Sequence, residues 1–373
     1  MRIQYRIRDG YAEIVRCFGT GETVVVPEKI GEITVRAVAA YTFSDKKSSE
    51  DQDVLEYRTE DGFLEEDREQ LLAGEKIAEV VFPETVQEIG NYIFYGCRKL
   101  KKLTFSDRLY RIGSGAFTGC GKLRELNVFL MDGEKSCVKE ILGELWQRID
   151  VTFYRKYVKI VDQQDVNLQS TDPQTVNQRS ADRETEVVKL VFPEHYEEAV
   201  ENTPARILFT QHHGTGNNYR QCFYSRELDY RKHDELFVLA EAQEPRDVLE
   251  DLVFWRMEYP HGLSKRARKN YETYLSGQLG QIVEHLIKTD RIDRLGQISV
   301  YGLWKEDVLE AAAVSAADLG KAEAAGFLMN ERQRLFPKKT GAKKIGVPRN
   351  GRAPRGASRK GTRHWRTASR PRS

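Results

Sequence analysis

IAEVVFPETVQEIGNYIFYGC, residues 77–97, is followed at 100–120 by LKKLTFSDRLYRIGSGAFTGC, and the two align without a gap at an offset of 23 residues. Val80/Leu103, Phe82/Phe105, Ile89/Ile112, Gly90/Gly113, Phe94/Phe117, Gly96/Gly119 and Cys97/Cys120 match, and Leu100 recurs as Leu123. Self-similarity at a fixed short period marks a repeat architecture. Within a unit, apolar residues at alternating spacing (Leu100, Leu103, Phe105) suit a short strand with one side buried. Ile-Gly then turns the chain, Phe94 or Phe117 fills the interior, and Gly-Cys closes the turn. A unit of this size cannot bury its apolar side alone, so neighbours must stack into a solenoid.

The pattern V-x-F-P-x-x-V-x-x-I-G-x-x-x-F-x-G-C-x-x-L resembles the treponema-type (BspA-like) leucine-rich repeat over roughly residues 20–130, most strongly over 77–128. Upstream, VVVPEKIGEITVRAVAAYTF (24–43) looks like a degenerate first copy. Val26-Pro27 matches Phe82-Pro83 and Phe43 matches Phe94, with five extra residues between and neither Ile-Gly nor Gly-Cys. Before it, RIQYRIRDGYAEIVRCF holds two alternating runs around Asp9-Gly10, a strong hairpin signal, read as a cap for the first repeat. Between copies lies an insertion, 44–76, with 12 acidic and 5 basic residues, expected as a solvated loop with one short helix near 63–72. After Val128 the period fades into a helix-like run (136–146) and a strand-like one (149–160).

The fold class expected is α+β: a short leucine-rich-repeat solenoid, each repeat a β-strand plus a turn or short helix, followed by a mainly α-helical domain and a disordered basic tail. Residues 1–160 form the solenoid with its hairpin cap. Residues 161–186, with no aromatic residue from 162 on, read as a linker. The segment 187–200 opens like a repeat strand and continues in a helical pattern. Helical periodicity dominates from Arg246 to the end of the second domain at 336. EDVLEAAAVSAADLGKAEAAGFLMNE (306–331) resembles the paired helices of an ankyrin repeat without that family's Thr-Pro-Leu-His turn, which implies a stacked helical hairpin.

Charge is divided along the chain. Residues 338–373 contain 13 basic residues and no acidic one, leaving 46 basic against 57 acidic in the other 337. Such a Pro-, Gly- and Arg-rich tail with one Trp365 has the composition of a nucleic-acid-binding extension; docking on the acidic body and a solvated end without a role in function are the alternatives. No apolar run approaches the ~18 residues a membrane span needs, and the start lacks a signal-peptide core. Five cysteines without a CxxC fit free thiols. A cytoplasmic protein without cofactor or metal is expected.

Gln211–Leu236 concentrates His212, His213, Cys222 and His233 around Gly214-Thr215-Gly216. Their spacing fits no zinc pattern, and the Gly-Thr-Gly lacks the Gly-Lys-Ser/Thr of a phosphate loop. An enzyme or metal site at 211–233 stands behind the reading of a structural loop. The favoured function is non-enzymatic protein–protein interaction through residues that point outward from the strands: Glu79 and Val81, Lys101, Lys102 and Thr104, Arg124, Glu125 and Asn127. Rigid repeated faces of this kind commonly bind partners.

Overall fold

The computed structural model describes residues 1–46, 53–59, 69–158, 183–202 and 207–337. The chain starts with an antiparallel hairpin, β1 (Arg2–Arg8) and β2 (Tyr11–Gly19), turned by Asp9 and Gly10 at φ 47° and 79°. Both turn residues sit in the left-handed region, as a two-residue turn matched to strand twist requires. The first coil follows with β3 (Thr23–Val25), β4 (Lys29–Ile30) and β5 (Ile33–Val38). Its five extra residues form the small β4–β5 hairpin, Lys29 opposite Thr34 and Ile30 opposite Ile33. Val24 lies opposite Val80 and Val38 opposite Ile89, the register that the degenerate copy implies.

The insertion contributes β6 (Leu55–Arg58) to the outer edge of β1 and β7 (Gln70–Leu71) to β2. The helix expected near 63–72 is therefore corrected to a strand at Gln70–Leu71, because β2 offers an open edge there; residues 63–68 lie outside the described residues. The two matched copies give β8 (Glu79–Val81) with β9 (Glu88–Ile89), then β10 (Lys102–Ser106) with β11 (Arg111–Ile112). The fourth coil has β12 (Glu125–Leu130) and then a short helix, α1 (Val138–Gly143), where earlier coils place a second strand. β13 (Ile149–Val158) completes the fifth turn. β3, β8, β10, β12 and β13 run parallel in one sheet, and β5, β9 and β11 in the other.

Two packing devices hold the coils in register. Phe43, Phe94 and Phe117 form a column of rings with centroids 5.4 and 5.5 Å apart. Beside it the Cys97 thiol donates to the Phe43 carbonyl at 3.1 Å and the Cys120 thiol to the Phe94 carbonyl at 3.3 Å. The cysteines are free, buried turn fillers. Gly90 and Gly113 serve close approach: a Cβ on Gly113 would lie 2.3 Å from the Asn91 nitrogen. Gly96 and Gly119, at φ 78° and 85°, instead need the left-handed conformation.

β14 (Arg183–Phe192) pairs antiparallel with β13 along its whole length. This corrects the linker at 161–186: residues 183–186 belong to the solenoid sheet, while 161–182 lie outside the described residues. The helical continuation read into 187–200 is corrected too. β15 (Tyr196–Asn202) pairs with β16 (Ile207–His213), its extended form fixed by cross-strand partners such as Tyr196 stacked on His213 at 4.4 Å.

A helical part follows: α2 (Gly216–Arg220), the small ribbon β17 (Phe223–Tyr224) and β18 (Glu227–Leu228), α3 (Tyr230–Glu235), α4 (Phe237–Gln243), α5 (Arg246–Glu258) and α6 (Lys265–Gly277). The last four helices, α7 (Leu279–Lys288), α8 (Ile292–Val300), α9 (Glu306–Asp318) and α10 (Ala322–Leu335), make two stacked hairpins, α7 against α9 and α8 against α10. Asp290 and Gly320, 30 residues apart, both turn at positive φ, and each following N–H returns to the carbonyl four residues before the turn, Arg291 to Leu286 and Lys321 to Ala316. The stacked hairpin expected at 306–331 is thus present. Residues 338–373, and with them the disordered tail expected, lie outside the described residues. A single apolar core runs from Ile3 to Leu328.

Gly113→Ala should lower stability by about 1–3 kcal/mol, the usual cost of forcing atoms into a packed contact. Gly121→Ala, where a Cβ meets nothing within 4 Å, should leave the urea midpoint nearly unchanged.

Candidate interaction face

Side chains alternate along the parallel strands, so register alone decides what lies side by side outside. One outward row is Glu79, Lys102, Glu125 and Asp150; the next is Val81, Thr104, Asn127, Thr152 and Lys189. A third places Phe129 against Tyr154, rings stacked at 4.9 Å. Within the first row Lys102 meets Glu79 at 2.9 Å, and Asp150 takes Arg148 at 2.8 Å and Arg124 at 3.4 Å from beside the strands.

The seven residues expected on one ladder therefore divide. Glu79, Lys102, Thr104, Glu125 and Asn127 stand in the strands, but Thr104 is buried at 8% exposure between its row neighbours and offers nothing to a partner. Lys101 and Arg124 precede the strands. Together with Lys122 and Glu125 they line a cleft of about 360 Å3 at the turn edge, reaching to Arg148 and Glu194. Lys99, Lys101 and Lys122 are exposed and have no ion-pair partner among the described residues. Beyond Thr152 helix α5 closes the face, with Lys189 under the rings of Trp255 and Tyr259 at 5.9 and 5.3 Å.

The described side chains of the His- and Cys-bearing segment pack into the fold. His213 stacks on Tyr196 and meets Glu198 at 3.3 Å; Cys222 is buried, and burial pushes its thiol up to about 12. His233 lies in the core with Nε2 3.0 Å from the Val191 carbonyl. Nothing about the side chain of His212 falls within the described residues. No group of three or more His, Cys, Asp or Glu that could hold a metal occurs among the described residues. Thr215 donates from its N–H at 2.9 Å and its hydroxyl to Glu244. A Cβ on Gly216 would lie 2.2 Å from the Pro193 carbonyl oxygen, so this glycine admits backbone.

What sequence reasoning missed is the set of buried arginines that fix the face in place. Arg220 donates five hydrogen bonds, all to carbonyls: Leu142, Leu145, Gln147, Pro193 and Gly216, at 2.6–3.1 Å. Burial pulls its guanidinium down to about 10. Arg148 reaches from the solenoid to Asp251 of α5 at 2.6 Å. Arg256 holds Asp234 through bonds of 2.7 and 2.9 Å, and Tyr271 donates to the same carboxylate. Burial alone would raise Asp234; hydrogen bonds from Arg256 and His233 outweigh it and hold the carboxyl below its ordinary value.

The folded state thus binds fewer protons at Asp234 than the unfolded chain. Its contribution is complete above the unfolded value of about 4 and disappears as pH falls through the lower folded value. Asp234→Asn should be destabilised by about 3–5 kcal/mol at neutral pH, since it strands the buried Arg256 charge. Urea midpoints of the two proteins should draw together as pH falls below that unfolded value. Iodoacetamide offers a second check: burial raises the thiols of Cys17, Cys97 and Cys222 to about 12. The native protein should therefore resist alkylation at these three positions under conditions that label the urea-unfolded chain fully.

Comparison with known proteins gives a family match over residues 68–141, to the BspA type leucine rich repeat region of six copies. No curated protein matches the chain. Two solved structures are similar: a leucine rich cell surface protein from Faecalibacterium prausnitzii at 20% identity, covering 35% of each chain with a TM-score of 0.24, and the Treponema pallidum leucine rich repeat protein at 20% identity, covering 34% of this chain and 68% of that one with a TM-score of 0.19. The chain thus spans about a third of the first and two thirds of the second. The coils in register, the close-packed glycines and the phenylalanine column are the structure of the segment, 68–141, that matches the BspA type leucine rich repeat region.

Proposed function

We propose that this protein is a non-enzymatic binding module that holds another protein on the outward face of its parallel sheet. Leucine-rich-repeat regions are generally protein-interaction modules. The observation that carries the reading here is the division of the face. Three of the four charges in its first row, Glu79, Lys102 and Asp150, are paired, while Lys99, Lys101 and Lys122 beside it stay unpaired among the described residues. A rigid surface edged by free cations suits an acidic partner segment, because complementary potential steers encounter and selects against wrong partners.

In the full chain, Lys99→Glu, Lys101→Glu and Lys122→Glu together should reduce partner capture roughly tenfold, about 1.4 kcal/mol of binding, with the thermal midpoint little changed. Equal capture by the triple variant and the parent, from the same extract and with both proteins folded, would falsify the assignment of this face.

A further inference from the structure

We propose that the basic segment following Pro337 docks on this chain's own groove between α7 and α9, with residues 343–349, KKIGVPR, as the occupant. Neither the strand face nor its partner enters this inference.

The groove exists because α9 is built from small residues. Where α7 presents Val283 and Ile287, α9 answers with Ala311, Ala312 and Ser315, leaving a cavity of about 300 Å3 that continues into a shallower one past Val314 and Leu319. Val314 and Leu319 are 57% and 46% exposed, an apolar surface without cover among the described residues. Four carboxylates rim it. Glu284 is matched by Lys288 at 2.5 Å and Glu310 by Arg332 at 2.6 Å. Asp307 and Asp318, at opposite ends of α9, have no ion pair among the described residues.

Charge and connectivity select the occupant. Residues 338–373 carry 13 basic residues and no acidic one, against an acidic remainder. α10 runs antiparallel to α9, and the Arg332–Glu310 pair brings its C-terminal turn beside the first half of α9. The chain leaves α10 at Leu335, next to the end of the groove that Asp307 marks. Six residues from Pro337 to Lys343 reach at most ~20 Å when extended, comparable with the length of α9 at about 1.5 Å per residue. A tether of that length gives an effective concentration on the order of millimolar. Within 343–349, Ile345 and Val347 are two apart and flanked by Lys343, Lys344 and Arg349. That pattern matches an apolar floor with a carboxylate towards each end.

Zero-length carbodiimide crosslinking of the full chain, read by mass spectrometry, tests the proposal. Lys343 and Lys344 should link to Asp307 or Asp318 with yields independent of protein concentration. Yields should fall at least about tenfold in ~1 M salt, where the screening length shrinks to about 3 Å. Asp307→Lys with Asp318→Lys should abolish the links, as should Lys343→Glu with Lys344→Glu, and combining the two pairs should restore them with amine and carboxyl exchanged. Links spread over the acidic surface without preference for α9, or surviving the α9 variant, overturn the proposal. Yields that rise with protein concentration overturn it in favour of a second copy. A groove that stays unlinked while the segment captures an oligonucleotide overturns it in favour of nucleic acid.

Discussion

One coil of this solenoid has almost no inside of its own. Phe94 is buried because Phe43 lies on one side of it and Phe117 on the other, and the coil's backbone is equally incomplete. The N–H groups of Tyr92, Phe94 and Gly96 donate to the carbonyls of Ser114, Ala116 and Thr118 in the following coil. Buried backbone groups left unpaired are costly, so each coil needs the next, and the stack must be closed at both ends. At the start the β1–β2 hairpin covers the first coil, while Arg16 collects the carbonyls of Tyr41, Thr42, Ser44 and Lys46. At the finish Glu144 accepts from the Phe117 N–H, and Gln147 donates to the Cys120 and Leu123 carbonyls, each at 3.0 Å. Two side chains there do what a further coil would have done.

The second closure then has to be held, and α5 holds it. This helix is buried on nearly every side, Glu250, Asp251 and Arg256 included. Each of those charges faces a different neighbour. Asp251 points to Arg148 of the solenoid and to Arg291 just before α8, Glu250 to His285 of α7, and Arg256 to Asp234 of α3. Buried ion pairs add little net stability compared with apolar packing. Breaking one of them would strand a buried charge, so they resist any displacement of the helical part from the end of the sheet. With Arg220 tying α1 to the turn after β14, the helices and the coils share one core.

The repeats were legible because their signal is redundant. Ile-Gly, the interior Phe and Gly-Cys recur together at a constant offset, and stacking in register is the one arrangement that uses all of them. The fifth turn was legible as a strand but not as a repeat, since 149–160 read as strand-like within the solenoid and β13 is that strand. β13 carries alternating apolar residues but lies 25 residues beyond its partner Glu125 rather than 23, with α1 between and Gln147 in place of a repeat turn. β14 was hidden by its polar approach, since residues 183–186 look like linker until β13 supplies an edge. The 30-residue period of the last helices was masked by unlike residues, Leu286 answering Ala316 and Asp290 answering Gly320. Of the candidate face, alternation located the strand residues correctly, but the burial of Thr104 and the separate placement of Lys101 and Arg124 depend on neighbours that no local pattern contains. The buried arginines looked like ordinary surface charge for the same reason.

The closing pair Glu144 and Gln147 has a wider meaning. The groups they bond, the Phe117 N–H and the Cys120 and Leu123 carbonyls, have counterparts at Phe94, Cys97 and Leu100 in the coil before. A cap that recognises what every coil possesses does not record how many coils precede it. Duplication of a 23-residue unit would move the whole C-terminal assembly outward by about 4.8 Å, the spacing of one strand, and present it with the same surface. The reach of the outward face is thus a quantity that can grow or shrink in whole steps, with neither end of the molecule having to be rebuilt.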